Sequence, residues 1–176
     1  PPIRDEFVFI RHIGHGASVF SYVDFGIAII FLDVHQFIFQ DGVQRLQHWL
    51  LSAGEVVQAS FTIHSAGGVG LPPHEFDALV ADILPHPLSV LQNLLPGSLD
   101  VPWAVSRPAP GELRVIGTDN RNGVGLAIEI SMNARPTQNT LFVATRTAAF
   151  HADLFHGFAI RTPGTVSRPR KIIQPF

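Results

Sequence analysis

The 176-residue chain has no cysteine. Disulfides, thiolate nucleophiles, zinc–thiolate centres and cysteine-held iron–sulfur clusters are therefore excluded. Lysine is nearly as scarce: of the twelve basic residues only Lys171 is not an arginine. A GC-rich coding sequence, which favours arginine codons, accounts for that bias simply. Charge as a whole is low, at 15% Asp, Glu, Lys and Arg, where a soluble domain usually carries about 25%. Surface buried against a protein partner or a second copy would explain the deficit. Long apolar runs are missing too. The most apolar stretch, residues 25–39, is interrupted by Asp33, His35 and Gln36 and is too short to cross a ~30 Å bilayer core as a helix. No membrane segment and no secretory leader pattern is read. The expectation is a soluble protein, with the cytoplasm favoured.

What is present is a globular composition, 46% hydrophobic with fourteen phenylalanines, seven of them before residue 40. The length fits one domain over residues 1–176. The one linker-like stretch is SRPAPG, residues 106–111, which marks a possible internal division. Residues 163–176 read as an extended C-terminal tail.

Alternation of apolar side chains predicts strands at Phe7–Ile13, Val19–Tyr22, Ile27–Leu32, Val34–Phe39 and Glu55–Ile63. Further strands are expected at Val101–Val105, Glu112–Ile116, Val124–Ser131, Thr140–Thr145 and Phe158–Arg161. The turn Thr118–Gly123, ending in Asn-Gly, reads as a hairpin. Helical spacing predicts a helix over Gly42–Ser52 capped by Asp41. Proline punctuation sets two more, His74–Leu84 and Pro87–Leu95. A fourth is expected at Thr147–His156, before Gly157. Strands and helices that do not alternate regularly point to an α+β fold, a largely antiparallel sheet with three or four short helices.

Charge is split along the chain. Residues 1–100 carry a net −7 and residues 101–176 a net +5. The arginine fork suits phosphate and carboxylate, so Arg114, Arg121, Arg135, Arg146, Arg168, Arg170 and Lys171 are the candidates for binding an anion or a partner. Nucleic acid is disfavoured: the pI is about 6.5, and residues 104–141 hold no aromatic for stacking bases. The acidic first part and basic second part are instead expected to face each other, or a second chain.

Catalytic motifs are absent. There is no Gly-x-Ser-x-Gly elbow, no dinucleotide fingerprint and no nucleotide-triphosphate loop. The nine histidines show no metal-ligand spacing. His151, Asp153 and His156 cluster, but on a helix only Asp153 and His156 would share a face. No metal and no cofactor is implied. The Gly-rich loop after His64 lies between a strand and a helix, where main-chain N–H groups can approach an anion. His64, Ser65 and His74 are the candidate catalytic residues around it. Without a catalytic signature, the sequence is read as a non-catalytic protein-binding module or assembly subunit, immunity- or adaptor-like, working through electrostatic complementarity. The alternative is a small hydrolase or transferase acting on an anionic substrate at the 64–74 loop.

Overall fold

A computed structural model describes residues 6–13, 17–21, 28–32, 36–67, 70–97, 101–119 and 121–164. Ten strands form one sheet in the order β10-β9-β8-β4-β7-β6-β5-β1-β2-β3. These are β1 Glu6–Ile13, β2 Ala17–Ser21, β3 Ala28–Leu32, β4 Val56–His64, β5 Trp103–Ser106, β6 Glu112–Asp119, β7 Val124–Ser131, β8 Gln138–Thr145, β9 Ala148–Asp153 and β10 Phe158–Pro163. The seven strands from β4 to β10 carry the described core. The helices are α1 Asp41–Leu50, α2 Pro73–Ile83 and α3 Pro85–Leu94, with only Leu84 between the last two.

Two-residue periodicity decides which face of the sheet is covered. Ala59, Phe61 and Ile63 of β4, Leu113 and Val115 of β6, Leu126, Ile128 and Ile130 of β7, and Phe150 and Ala152 of β9 are all buried. The alternate positions, such as Ile116, Phe142 and His151, are exposed. The helices lie on the buried side: Trp49 of α1 stacks on Phe150 with ring centres 5.9 Å apart, and Phe76 of α2 lies against Gly111, where a Cβ would meet its ring at 2.6 Å. Trp103 is fully buried against Gly117, where a Cβ would meet its ring at 2.8 Å. That close approach is what requires a glycine in the middle of β6. Burying an aromatic of this size stabilises the fold by roughly 3 kcal/mol.

The mixed α+β architecture, dominated by its sheet, agrees with the sequence; its details agree only in part. At the centre β4 and β7 run parallel, in the register Ser60↔Ala127 and His64↔Ser131, while the other neighbouring strands are antiparallel. The fourth helix, expected at Thr147–His156, is strand β9. Its Ala148, Phe150 and Ala152 alternate inward, and it hydrogen-bonds to β8 on one side and β10 on the other. Two ladders outweigh a weak local helix preference. The hydroxyl of Thr145 also accepts from the main chain of Thr147 and Ala148 and turns the chain back on itself.

The expected strand Val34–Phe39 is replaced, over Gln36–Phe39, by a 3-10 turn. Phe37 and Ile38 both pack toward the core, which successive residues of a strand cannot do. Asp41 is the first residue of α1 rather than its cap; Gln40 holds that position, and no side chain caps the helix. The SRPAPG stretch joins β5 to β6 inside the sheet.

Candidate functional site

A cleft of about 460 Å³ opens where β4 and β7 begin. Its walls are Leu94, Leu95 and Pro96 from the end of α3, and Val56 and Val124 from the first residues of the two parallel strands. Glu55, Asp119, Arg121 and Asn122 supply the polar groups. An open cleft of this size, lined by both apolar and polar groups, has room for a small molecule.

The polar part is built by the turn between β6 and β7. Asp119 occupies the last inward position of β6 and is 4% exposed. Its Oδ1 accepts from the Arg121 main-chain N–H at 2.9 Å and from Arg121 Nε at 3.4 Å, and its Oδ2 accepts from Asn122 Nδ2 at 3.1 Å. The Arg121 main-chain bond is the largest influence holding the Asp119 carboxyl below the usual range. Burial pushes the other way, and the Arg121 guanidinium and the Asn122 amide reinforce the lowering. Asp119 is thus a buried anion that positions an exposed cation.

Arg121 is fixed at a second point. Its Nη2 donates to the Gly97 carbonyl at 2.6 Å. Gly97 has φ +82°, and a Cβ there would come within 2.9 Å of Nη2. The guanidinium therefore packs against Gly97, where a side chain would collide with it. Nε and Nη2 are committed, and among the described residues Nη1 has no hydrogen-bond partner.

The expected site residues separate. His64 ends β4, with Nδ1 2.9 Å from Gln138 Nε2. Ser65 follows it, its Oγ accepting from the Gly67 N–H at 3.3 Å. Nη1 of Arg135 donates to the carbonyls of Ser65 at 3.2 Å, Met132 at 3.5 Å and Ala134 at 2.8 Å. His64, Ser65 and Arg135 therefore gather where β4 ends. That is roughly 26 Å from the cleft, by strand rise over eight residues. His74 stands in the first turn of α2, 81% exposed, and faces Glu75 at 3.9 Å. Arg114 pairs with Glu129 across β6–β7 at 3.5 Å, and Arg146 pairs with Glu55 at 2.8 Å on the rim of the cleft. Arg168, Arg170 and Lys171 lie outside the described residues.

The two halves of opposite charge do meet at Arg146–Glu55 and Arg107–Asp77. Arg114 and Arg121 instead find carboxylates in their own basic half. Among the described residues no group of three His, Asp or Glu side chains could hold a metal ion. Likewise no described helix is long and apolar enough to cross a membrane.

Of the residues lining the cleft, the sequence singled out Arg121; Arg146, also singled out, pairs with Glu55 of the lining. Asp119 was legible only as part of a turn, although an aspartate two residues before an arginine in a hairpin can accept its main-chain N–H. Leu94–Pro96 carried no signal beyond the end of a helix.

No protein-family model matches the sequence, and no curated protein does either. A solved structure shares the fold. It is the crystal structure of a "putative oxidoreductase" from Magnetospirillum magnetotacticum MS-1, with TM-score 0.57 and 16% identity over 77% of this chain and 45% of that one. This chain spans less than half the length of that protein. The neighbour overturns the expectation of a non-catalytic, immunity- or adaptor-like module, because the fold it shares is found in a protein described as an enzyme. The cleft itself is assembled from turns and strand ends that carry no catalytic motif.

Proposed function

We propose that this chain is part of a catalytic protein of oxidoreductase type, and that the cleft at the start of β4 and β7 holds a small ligand bearing an acidic group. One observation carries the reading: a guanidinium fixed at two points, by a buried carboxylate and a carbonyl, beside an apolar wall. A donor fixed in advance loses little freedom when it takes an anion, and this favours both affinity and orientation. Leu94, Leu95, Val56 and Val124 would cover the apolar body of the ligand, and Arg121 its acidic end. Glu55 on the rim, paired with Arg146, opposes a second negative charge and so favours ligands with a single acidic group. The oxidoreductase part of the reading rests on the neighbour, whose description implies no particular electron carrier.

Native mass spectrometry of the full chain purified from its own host tests the proposal. The expected result is a retained small molecule, lost in Arg121→Gln, whose mass changes by two hydrogens when a reductant is added. A chain that carries no small molecule, or one that Arg121→Gln retains equally, contradicts it.

A further inference from the structure

The helices meet the inward side chains of the sheet. Its outward side keeps four large apolar side chains exposed, Ile116, Phe142, Phe158 and Ile160. Strand register puts three of them in line. Ile160 pairs with His151, His151 with Phe142, Phe142 with Ser60, Ser60 with Ala127, and Ala127 with Ile116. The line crosses six strands, so it is an apolar ridge roughly 24 Å long at the usual strand spacing. Ile116, toward its far end, is 59% exposed.

The row beside the ridge, one step toward the start of β4, is small. Ala149, Ala144 and Gly125 stand in it, with Gln58 between the last two. Gly125 has no positive φ, and a Cβ there would meet nothing nearer than the Val57 carbonyl at 4.0 Å. Neither backbone nor packing within the chain calls for glycine, which weakens a strand interior. A furrow thus runs parallel to the ridge, about 7 Å from it. On the ridge's other flank the row is polar: Thr140, Thr62, Glu129 and Arg114. Arg114 and Glu129 answer each other at 3.5 Å, so this row offers no net charge to a strongly acidic or basic partner.

We propose that the outward face is the interface of a homodimer, two copies of this sheet packed face to face. A ridge beside a furrow is self-complementary. A twofold axis parallel to both, midway between them, lays the ridge of each copy in the furrow of the other. The strands of the two sheets then stack aligned, about 10 Å apart. The polar rows fall at the rim, where interfaces carry their charge. Seven strands by three rows present roughly 600 Å² on each copy, about 1,200 Å² in all, the lower end of what a specific interface buries. The dimer is therefore of micromolar strength rather than obligate.

Sedimentation velocity of the full chain between about 1 and 100 μM tests the proposal. The expected result is a reversible monomer–dimer equilibrium with no larger species, because a twofold interface closes at two. Phe142→Arg sets an unpaired charge in the middle of the ridge and should weaken the dimer about tenfold or more. Gly125→Val fills the furrow while meeting nothing in its own chain. It should weaken the dimer about tenfold or more without lowering the melting temperature of the dilute monomer. Leu51→Arg, an exposed apolar residue just after α1 and off this face, should leave the equilibrium unchanged. Arg121→Gln should leave it unchanged too, which separates this proposal from the cleft reading. Four results overturn it: a parent that stays monomeric, as a face covered by another segment or another protein would; assembly beyond the dimer; a dimer that survives either face substitution in a folded chain; or a loss as large in Leu51→Arg.

Discussion

The parallel strands β4 and β7 present two unlike ends. Where they begin, the side chains are Glu55, Val56 and Val124, and they meet the apolar end of α3 and the Asp119–Arg121 turn. Where they finish, they carry His64 and Ser131, flanked by Gln138, Glu112 and Asn133. Both ends hold an arginine, but by different means. Arg121 leans on a buried carboxylate beside an apolar wall, so its charge is partly answered and its position fixed. Arg135 leans on carbonyls and, among the described residues, faces no carboxylate. The ligand proposed for the first end has an apolar body and one acidic group.

The largest expected effect that separates the two ends is Asp119→Ala. It strips the partners from the Arg121 main chain, the Arg121 side chain and the Asn122 amide in a buried setting. A loss of about 2–3 kcal/mol in a urea unfolding series is expected, together with loss of ligand binding in the cleft. An unchanged midpoint would show that the turn does not depend on its carboxylate.

Ser131→Ala probes the other end. It removes a buried hydroxyl serving three partners, for roughly 1–2 kcal/mol, with cleft binding unaffected. If it disturbed the cleft instead, the two ends could not be treated as independent.

Gly97→Ala comes next. Its positive φ and the 2.9 Å approach to Arg121 Nη2 predict a loss of about 1–2 kcal/mol and weaker cleft binding in a direct titration. A variant that binds as well as the parent would remove the second anchor from the account.

The acid limb of stability gives a further distinction. Asp119 is held below the ordinary carboxylate range by the Arg121 N–H, then by the Arg121 and Asn122 side chains. A carboxyl with a depressed folded value contributes stability that is complete above the unfolded value, near pH 4, and lost as pH falls through the folded value. Thermal melts below about pH 4 should therefore fall less steeply for Asp119→Asn than for the parent protein. Parallel curves would contradict the assignment.

The smallest effect is Arg146→Ala. Its pair with Glu55 is solvent-exposed on both sides, so stability should change by less than about 0.5 kcal/mol.

How much of this was legible depended on the range of the interaction. Alternation exposed β4 through Ala59, Phe61 and Ile63, and prolines marked α2 and α3, because those signals are local. Strand β9 was misread because Thr147 and Gly157 resemble helix ends, and nothing within the segment announces ladders to β8 and β10. The parallel pairing of β4 with β7 joins residues more than sixty positions apart and leaves no local trace. Arg121 was visible as a cation in a hairpin. That its guanidinium rests on Gly97 could not be seen, since Gly97 read only as the stop after a helix.

The most direct test of the central claim is a thermal-shift comparison of the parent chain and Arg121→Gln against small carboxylates and phosphorylated compounds. The account predicts at least one compound that raises the parent midpoint by about 3 °C or more at saturating concentration and leaves Arg121→Gln nearly unmoved. If no compound separates the two proteins, the cleft is not a ligand site.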